Sequence, residues 1–163
     1  MKVINSFKGE NRFLSNFYPC RIMLKKKVWP TTEHLYQACK TLRKTKDFDE
    51  VDWDEMRLVP TPGAAKRLGR RLLLHSNWDQ VKFKLMLKCL HLKFGQNQDL
   101  ANKLLGTGEV VLIEGNWWHD NIWGDCLCKN CKDIPGENLL GKALMKVRSE
   151  LSDLSWLNRG IEE

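Results

Sequence analysis

The segment from Asn77 to Gly95 constrains this chain more than any other stretch. Asn77-Trp78-Asp79 opens it, Val81, Leu85, Cys89 and Leu92 recur at helical spacing, and Gly95 supplies a stop. An apolar stripe of that length needs other elements to cover it, and the sequence supplies them. Pro30-Thr31-Thr32 predicts a helix entry, with a Thr hydroxyl to accept from first-turn amides and Glu33 at the positive helix end, running to about Leu42. Thr61-Pro62-Gly63 opens a helix through Arg71, with Thr61 as cap and Pro62 where a missing amide costs nothing. Gln98 to Leu105, stopped by Gly106, and the amphipathic Asn138 to Leu151 are also predicted helical. Short β-like pieces at Val3 to Phe7, Arg21 to Leu24 and Val28 to Trp29 predict a small sheet at the start, and Glu109 to Ile113 reads as a buried strand. The acidic tract Asp47 to Glu55 reads as a surface excursion. The expected class is α+β, compact and mainly helical.

With 163 residues, 42% of them hydrophobic, the chain can bury about 70% of its unfolded surface, and no linker, repeat or composition break divides it. A single domain over residues 1–163 is expected. No apolar run reaches the roughly 18 residues of a membrane span, and Met1-Lys2-Val3-Ile4-Asn5 lacks the hydrophobic stretch of a secretion signal. The expected location is therefore cytoplasmic, where the six cysteines are reduced thiols or metal ligands and not disulfides.

Lys and Arg number 27 against 20 Asp and Glu, a net charge of +7 that concentrates polyanions around the protein. Basic stretches occur at Lys25-Lys26-Lys27, at Arg43-Lys44, at Lys66, Arg67, Arg70 and Arg71, and at Lys82, Lys84, Lys88 and Lys93. They read either as solvated helix faces or as a phosphate-tracking surface. Within them Leu68-Gly69-Arg70 offers close backbone approach beside a guanidinium able to grip pyrophosphate with two bonds. No Walker loop or dinucleotide glycine fingerprint is present, so nucleotide hydrolysis and hydride transfer by their common routes find no support.

Three constellations carry chemistry. On the helix after Thr32, Leu35, Ala38 and Leu42 share one face, while Glu33, Gln37 and Lys40 share the opposite one with Tyr36 beside them. The polar face is either solvated surface or a pocket floor on which Glu33 and Lys40, roughly 10 Å apart along the axis, converge on one ligand. A carboxylate there stabilises positive charge developing on a sugar, and a partly desolvated lysine attacks a carbonyl carbon. The second constellation is Glu114 to Asp125, with Trp117, Trp118 and Trp123 among Asn116, His119, Asp120, Asn121 and Asp125. So many indoles and carboxylates read as a binding loop, with indoles stacking on a base and Asp bonding ribose hydroxyls, although a Trp-rich plug over a core uses the same residues. Third, Cys126, Cys128 and Cys131 with His119 offer four ligands to a structural zinc, against free thiols on a tight loop as the alternative. No other metal or cofactor site is expected.

Phe13-Leu14-Ser15-Asn16-Phe17, Trp29-Pro30-Thr31-Thr32-Glu33-His34 with Gln37-Ala38 and Lys40, Leu68-Gly69-Arg70, Asn77-Trp78, Trp123-Gly124-Asp125 and Gly136-Glu137-Asn138-Leu139-Leu140-Gly141 together resemble the NADAR family, in order from about residue 4 to residue 151. The resemblance implies a mainly helical α+β hydrolase of N-glycosidic bonds at ribose C1. Two substrate classes follow from it: ADP-ribose attached to guanine in nucleic acid, and phosphoribosylated intermediates of riboflavin synthesis. It implies Glu33 as catalytic carboxylate, Lys40 as a candidate for a Schiff base with ring-opened ribose, and Asp125 and Trp123 at the sugar and base. Asn16, Trp29, Gln37, Arg70, Trp78 and Asp120 are the further substrate contacts it suggests. The Cys-x-Cys-x-x-Cys run and the acidic tract depart from the pattern of enterobacterial members, so the riboflavin assignment does not transfer directly.

The expected site has Glu33 and Lys40 facing a cleft closed by the loop from Trp117 to Asp125. The basic charge places ADP-ribosylated nucleic acid ahead of a phosphoribosylated small molecule. A non-catalytic module that binds ADP-ribose or nucleic acid is the alternative from another class.

Overall fold

The structure, a computed structural model, describes residues 2–40, 53–72, 74, 76–131 and 133–159, with side chains as far as 153. The predicted helix end at Leu42, the Arg43-Lys44 pair and residues 47–52 of the acidic tract lie outside the described residues. The chain forms two compact units, Asn16–Asn97 and Met1–Ser15 with Gln98–Glu163.

In the unit Asn16–Asn97, strands β2 (Pro19–Leu24) and β3 (Lys27–Thr31) form an antiparallel hairpin, pairing Ile22 with Trp29 and Leu24 with Lys27. Its two-residue turn is Lys25-Lys26, both in the left-handed region at φ 50° and 62°. That conformation matches the strand twist but normally selects Asn-Gly. Two side-chain contacts hold it: Lys25 Nζ lies 5.0 Å from the Trp53 ring centre, and Lys27 Nζ donates to Asp54. This part of the basic run is thus a hairpin turn.

β3 leads directly into α1 (Thr32–Cys39). Thr31 ends the strand and caps the helix, its hydroxyl accepting from the His34 amide at 3.3 Å as the capping argument predicts. α2 (Trp53–Leu58) replaces part of the expected surface excursion. Trp53 packs edge-on to the buried Trp29 at 5.6 Å, and Met56 is fully buried, so apolar packing overrides the acidic composition. α3 (Pro62–Gly69) has the predicted Thr61 cap, accepting from Ala64 N at 3.1 Å. α4 (Trp78–Gly95) spans the predicted length, but Asn77 makes no side-chain cap bond, and of the predicted stripe only Cys89 is buried, beside Met86, Leu90, Lys93 and Phe94, while Val81, Leu85 and Leu92 are half-buried. Lys93, predicted on a basic helix face, is instead fully buried, its Nζ 5.0 and 5.8 Å from the ring centres of Phe94 and Tyr18.

In the other unit, β1 (Val3–Ile4) and β4 (Val111–Leu112) pair in parallel, as do β5 (Gly115–Asn116) and β6 (Asp125–Cys126). The expected small sheet at the start is therefore corrected: the first strand pairs far along the chain, while among the described residues the hairpin strands pair only with each other. Residues Gly9–Leu14 form a 3-10 helix that buries Phe13 and Leu14. α5 (Gln98–Gly106) and α6 (Leu139–Arg159) enclose Leu100, Leu104, Leu112, Ala143, Leu144 and Val147. A side chain at Gly141 would bring its Cβ within 2.1 Å of the Leu112 carbonyl oxygen, which is how α6 comes close to β4. The predicted α+β class holds. Among the described residues no helix is long and apolar enough to cross a membrane.

Candidate active site

All eight residues of α1 are buried, so the solvated reading of its polar face is corrected. Glu33 is 5% and Gln37 3% exposed, because α2, α3 and α4 all pack around this helix. Gln37 Nε2 donates to Glu33 Oε1 at 2.7 Å, one helical turn apart. The Glu33 amide, which has no partner inside the helix, donates to the Asn16 carbonyl at 3.0 Å. The Asn16 side chain donates to Met86 Sδ at 3.4 Å, tying the same segment to α4. Asn16 Oδ1, Thr32 Oγ1 and Gln37 Oε1 are buried acceptors with no hydrogen-bond partner among the described residues, polar capacity of the kind a bound ligand's hydroxyl or amide groups satisfy.

Lys40 caps the C-terminal end of α1. Its Nζ lies 5.4 Å from the Tyr36 ring centre and 5.5 Å from that of Trp78, two rings 6.0 Å apart. Burial lowers its pKa below the ordinary lysine value. The Glu33 carboxylate pulls it back up, while Lys66 and Arg70 push it further down. One carboxylate and three cations therefore share a field on α1 and the end of α3.

The close approach of α3 to this carboxylate depends on Gly69, whose Cβ would sit 1.8 Å from Gln37 Oε1. Gly69→Ala is expected to swing the Gln37 amide off Glu33 and to lower stability by about 1–3 kcal/mol, from the lost buried bond and overpacking. Thermal unfolding checks this, and an unchanged melting temperature contradicts it.

His34 follows the carboxylate in the motif and has a different task. The Val59 carbonyl, 3.1 Å from Nε2, can only accept, so Nε2 carries the proton and Nδ1 faces the Thr31 hydroxyl at 2.7 Å. Burial lowers its pKa, consistent with a neutral ring that ties α1 to the segment after α2.

The loop after β5 belongs to the other unit. Asn116 Oδ1 accepts from the amides of Trp118 and Asp120, both at 3.2 Å, and its Nδ2 donates to the Asp120 carbonyl at 2.7 Å. Asp120 Oδ1 accepts from Trp123 N at 2.9 Å, and Asp125 Oδ1 accepts from Gly136 N at 3.0 Å. Trp117 and Trp118 are 62% and 55% exposed, whereas Trp123 is half-buried. The polar residues of this segment thus form its scaffold, and two of the indoles stand in solvent. His119 Nδ1 and the sulfurs of Cys126, Cys128 and Cys131 lie within 4.8 Å of one another, an arrangement that can hold a metal ion.

Of the residues singled out from sequence, the structure gathers Asn16, Glu33, Gln37, Lys40 and Trp78 in one unit, with Arg70 on the exposed end of α3. Trp29 is fully buried there against Trp53. Asp120, Trp123 and Asp125 lie in the other unit. Tyr36 and Lys66, which the resemblance does not single out as site residues, complete the surroundings of Lys40. Their signal was helical spacing, Tyr36 one turn before Lys40 and Lys66 one turn before Arg70.

The family model described as NADAR domain matches residues 5–152. The chain is 37% identical over 154 residues to the N-glycosidase YbiA of Shigella boydii serotype 4, covering 92% of this chain and 89% of that protein. It is 38% identical over 144 residues to a riboflavin biosynthesis protein of Vibrio vulnificus, covering 86% of this chain and 36% of that one. The NMR structure of the E. coli protein YbiA superposes with a TM-score of 0.77 at 36% identity, over 95% of this chain and 88% of that chain. By motif, fold and match along most of its length, the chain belongs to the NADAR domain family.

Proposed function

We propose that this protein hydrolyses the bond between ribose C1 and a base nitrogen, and that its substrate is ADP-ribose attached to guanine in nucleic acid. The observation that carries the reading is the buried Glu33 carboxylate sharing its field with Lys40, Lys66 and Arg70. Departure of the base leaves oxocarbenium-like positive charge at C1, which a fixed carboxylate out of bulk water stabilises better than water does. Water adds at C1, its proton passing to the Glu33 carboxylate, while the departing nitrogen gains a proton. The products are a free C1 hydroxyl and the intact base. Arg70 and Lys66 suit the pyrophosphate. Lys40 suits a covalent route, in which its neutral amine adds to C1 as the sugar ring opens, the base departs with a proton, and one water hydrolyses the resulting imine to the C1 aldehyde, which recloses and frees the amine.

The enzyme class is supported by the name N-glycosidase borne by the Shigella relative. The nucleic-acid substrate is supported by the charge of +7. A second reading, hydrolysis of phosphoribosylated intermediates of riboflavin synthesis, is favoured by the name of the Vibrio relative.

Mass spectrometry of products from a panel of N-ribosides, including ADP-ribosylated DNA and RNA, tests both. Release of ADP-ribose from guanine oligonucleotides, falling steeply with added salt while turnover of a mononucleotide does not, is the expected result. Turnover confined to phosphoribosylated metabolites supports the second reading. Retention on ADP-ribose resin without turnover of any member refutes both and leaves a binding module.

A further inference from the structure

We propose that His119, Cys126, Cys128 and Cys131 form a closed, structural zinc site that ties the indole-bearing loop to the turn following Asp125. The four ligand atoms lie within 4.8 Å of one another, with His119 Nδ1 3.2 Å from Cys131 Sγ and 3.3 Å from Cys128 Sγ. Tetrahedral zinc, with bonds of about 2.3 Å to sulfur and about 2.0–2.1 Å to nitrogen, sets ligand-to-ligand edges of roughly 3.6–3.8 Å. The side chains already stand at that scale without any change of backbone.

The backbone is built to present them. Cys128-Lys129-Asn130-Cys131 closes a turn in which Cys131 N donates to the Cys128 carbonyl at 3.0 Å, bringing two ligands three residues apart onto one side. Cys126 is the last residue of β6 and is fixed twice, by pairing with Asn116 and by its amide donating to Asn121 Oδ1 at 2.8 Å. His119 supplies the fourth ligand from the far end of the loop by adopting φ 65°, a left-handed conformation uncommon outside glycine. Three thiols are weak donors and weak acceptors, so hydrogen bonding among them offers little reason to gather them around an imidazole, two of them buried. A soft divalent cation offers that reason.

The chemistry is coordination, with no change of oxidation state. Three thiols release three protons to solvent, a neutral imidazole keeps its Nε2 proton, and Zn2+ with three thiolates leaves a net charge of −1. Four protein ligands fill the tetrahedron, leaving no open position for water or substrate, which makes the site structural and not catalytic. Its consequence is the placement of Trp117 and Trp118 at one end and of the Asp125 turn at the other.

The test is metal analysis of protein purified without metal-affinity steps, independent of any glycosidase activity. One zinc per chain is expected, and Co2+ substitution is expected to give intense tetrahedral d–d bands with thiolate charge transfer. The three thiols should resist a disulfide reagent until a strong chelator is added. Chelation should lower the melting temperature, and zinc should restore it. His119→Ala changes an exposed ligand with least risk to folding, and is expected to weaken zinc retention by more than the roughly 10–100-fold that losing an outer-shell partner costs. Metal-free protein whose Co2+ spectrum lacks charge transfer, a disulfide among these cysteines in freshly reduced anaerobic preparations, or His119→Ala with unchanged zinc retention overturns the proposal.

Discussion

Glu33→Gln is expected to leave a folded protein that hydrolyses N-ribosides about 10²–10³-fold more slowly. The substitution keeps size and shape, and its own carbonyl oxygen can still accept from Gln37 Nε2, which now reaches Glu33 at 2.7 Å. What it removes is negative charge in a site 5% exposed to solvent, where charge is least screened and water cannot replace it. The loss should fall on kcat more than on KM, because the charge it would stabilise develops only as the C1 to nitrogen bond breaks. A second consequence is independent of turnover. The carboxylate is what raises the pKa of Lys40 against burial, Lys66 and Arg70, so in the variant that pKa must fall further. Titration of isotopically methylated Lys40 by NMR reads this directly. Undiminished turnover in a folded Glu33→Gln protein refutes the catalytic assignment.

The helices were legible because they rest on local rules. Thr31 and Thr61 cap where a hydroxyl precedes a helical run, and Gly95 and Gly106 each end a helix. The hairpin was not legible as a turn, because Lys25-Lys26 adopts left-handed angles without the Asn or Gly that normally announces them, held by the Trp53 ring and Asp54. Those contacts are tertiary, and no local pattern contains them. The same holds for α2, whose acids suggest surface although Met56 and Trp53 decide its place. At the candidate site, periodicity correctly put Glu33, Gln37 and Lys40 on one face, but whether that face meets solvent depends on three other helices. Gly69 was the available clue, a residue without a side chain at the point where α3 meets Gln37. For Lys93 no clue existed, since a lysine among lysines on a long helix gives no sign of being the buried one.

Lys40 separates two kinds of chemistry by the sign of its pH dependence. As a nucleophile it acts through the neutral amine, whose fraction grows as pH rises through the lysine pKa. Because burial, Lys66 and Arg70 lower that pKa, the rate should climb at lower pH than a free lysine allows and level off above it. As a mere counter-ion for phosphate it acts through the ammonium, and the rate should fall over the same range. Lys40→Arg distinguishes the two again, since a guanidinium keeps the charge but cannot be deprotonated in proteins. The imine route predicts that Lys40→Arg and Lys40→Ala both lose about 10²–10³-fold, and that borohydride added during turnover traps a sugar adduct on Lys40. A counter-ion role predicts that Arg retains most activity and that no adduct forms. The neighbours then set the position of the curve. Arg70→Gln removes a cation that pushes Lys40 down, so its inflection must move to higher pH, whereas Glu33→Gln must move the titration of Lys40 to lower pH. Two substitutions that displace one lysine in opposite directions bind the carboxylate, the amine and the guanidinium into a single electrostatic unit. A profile that moves the same way in both, or in neither, means that the group being titrated is not Lys40.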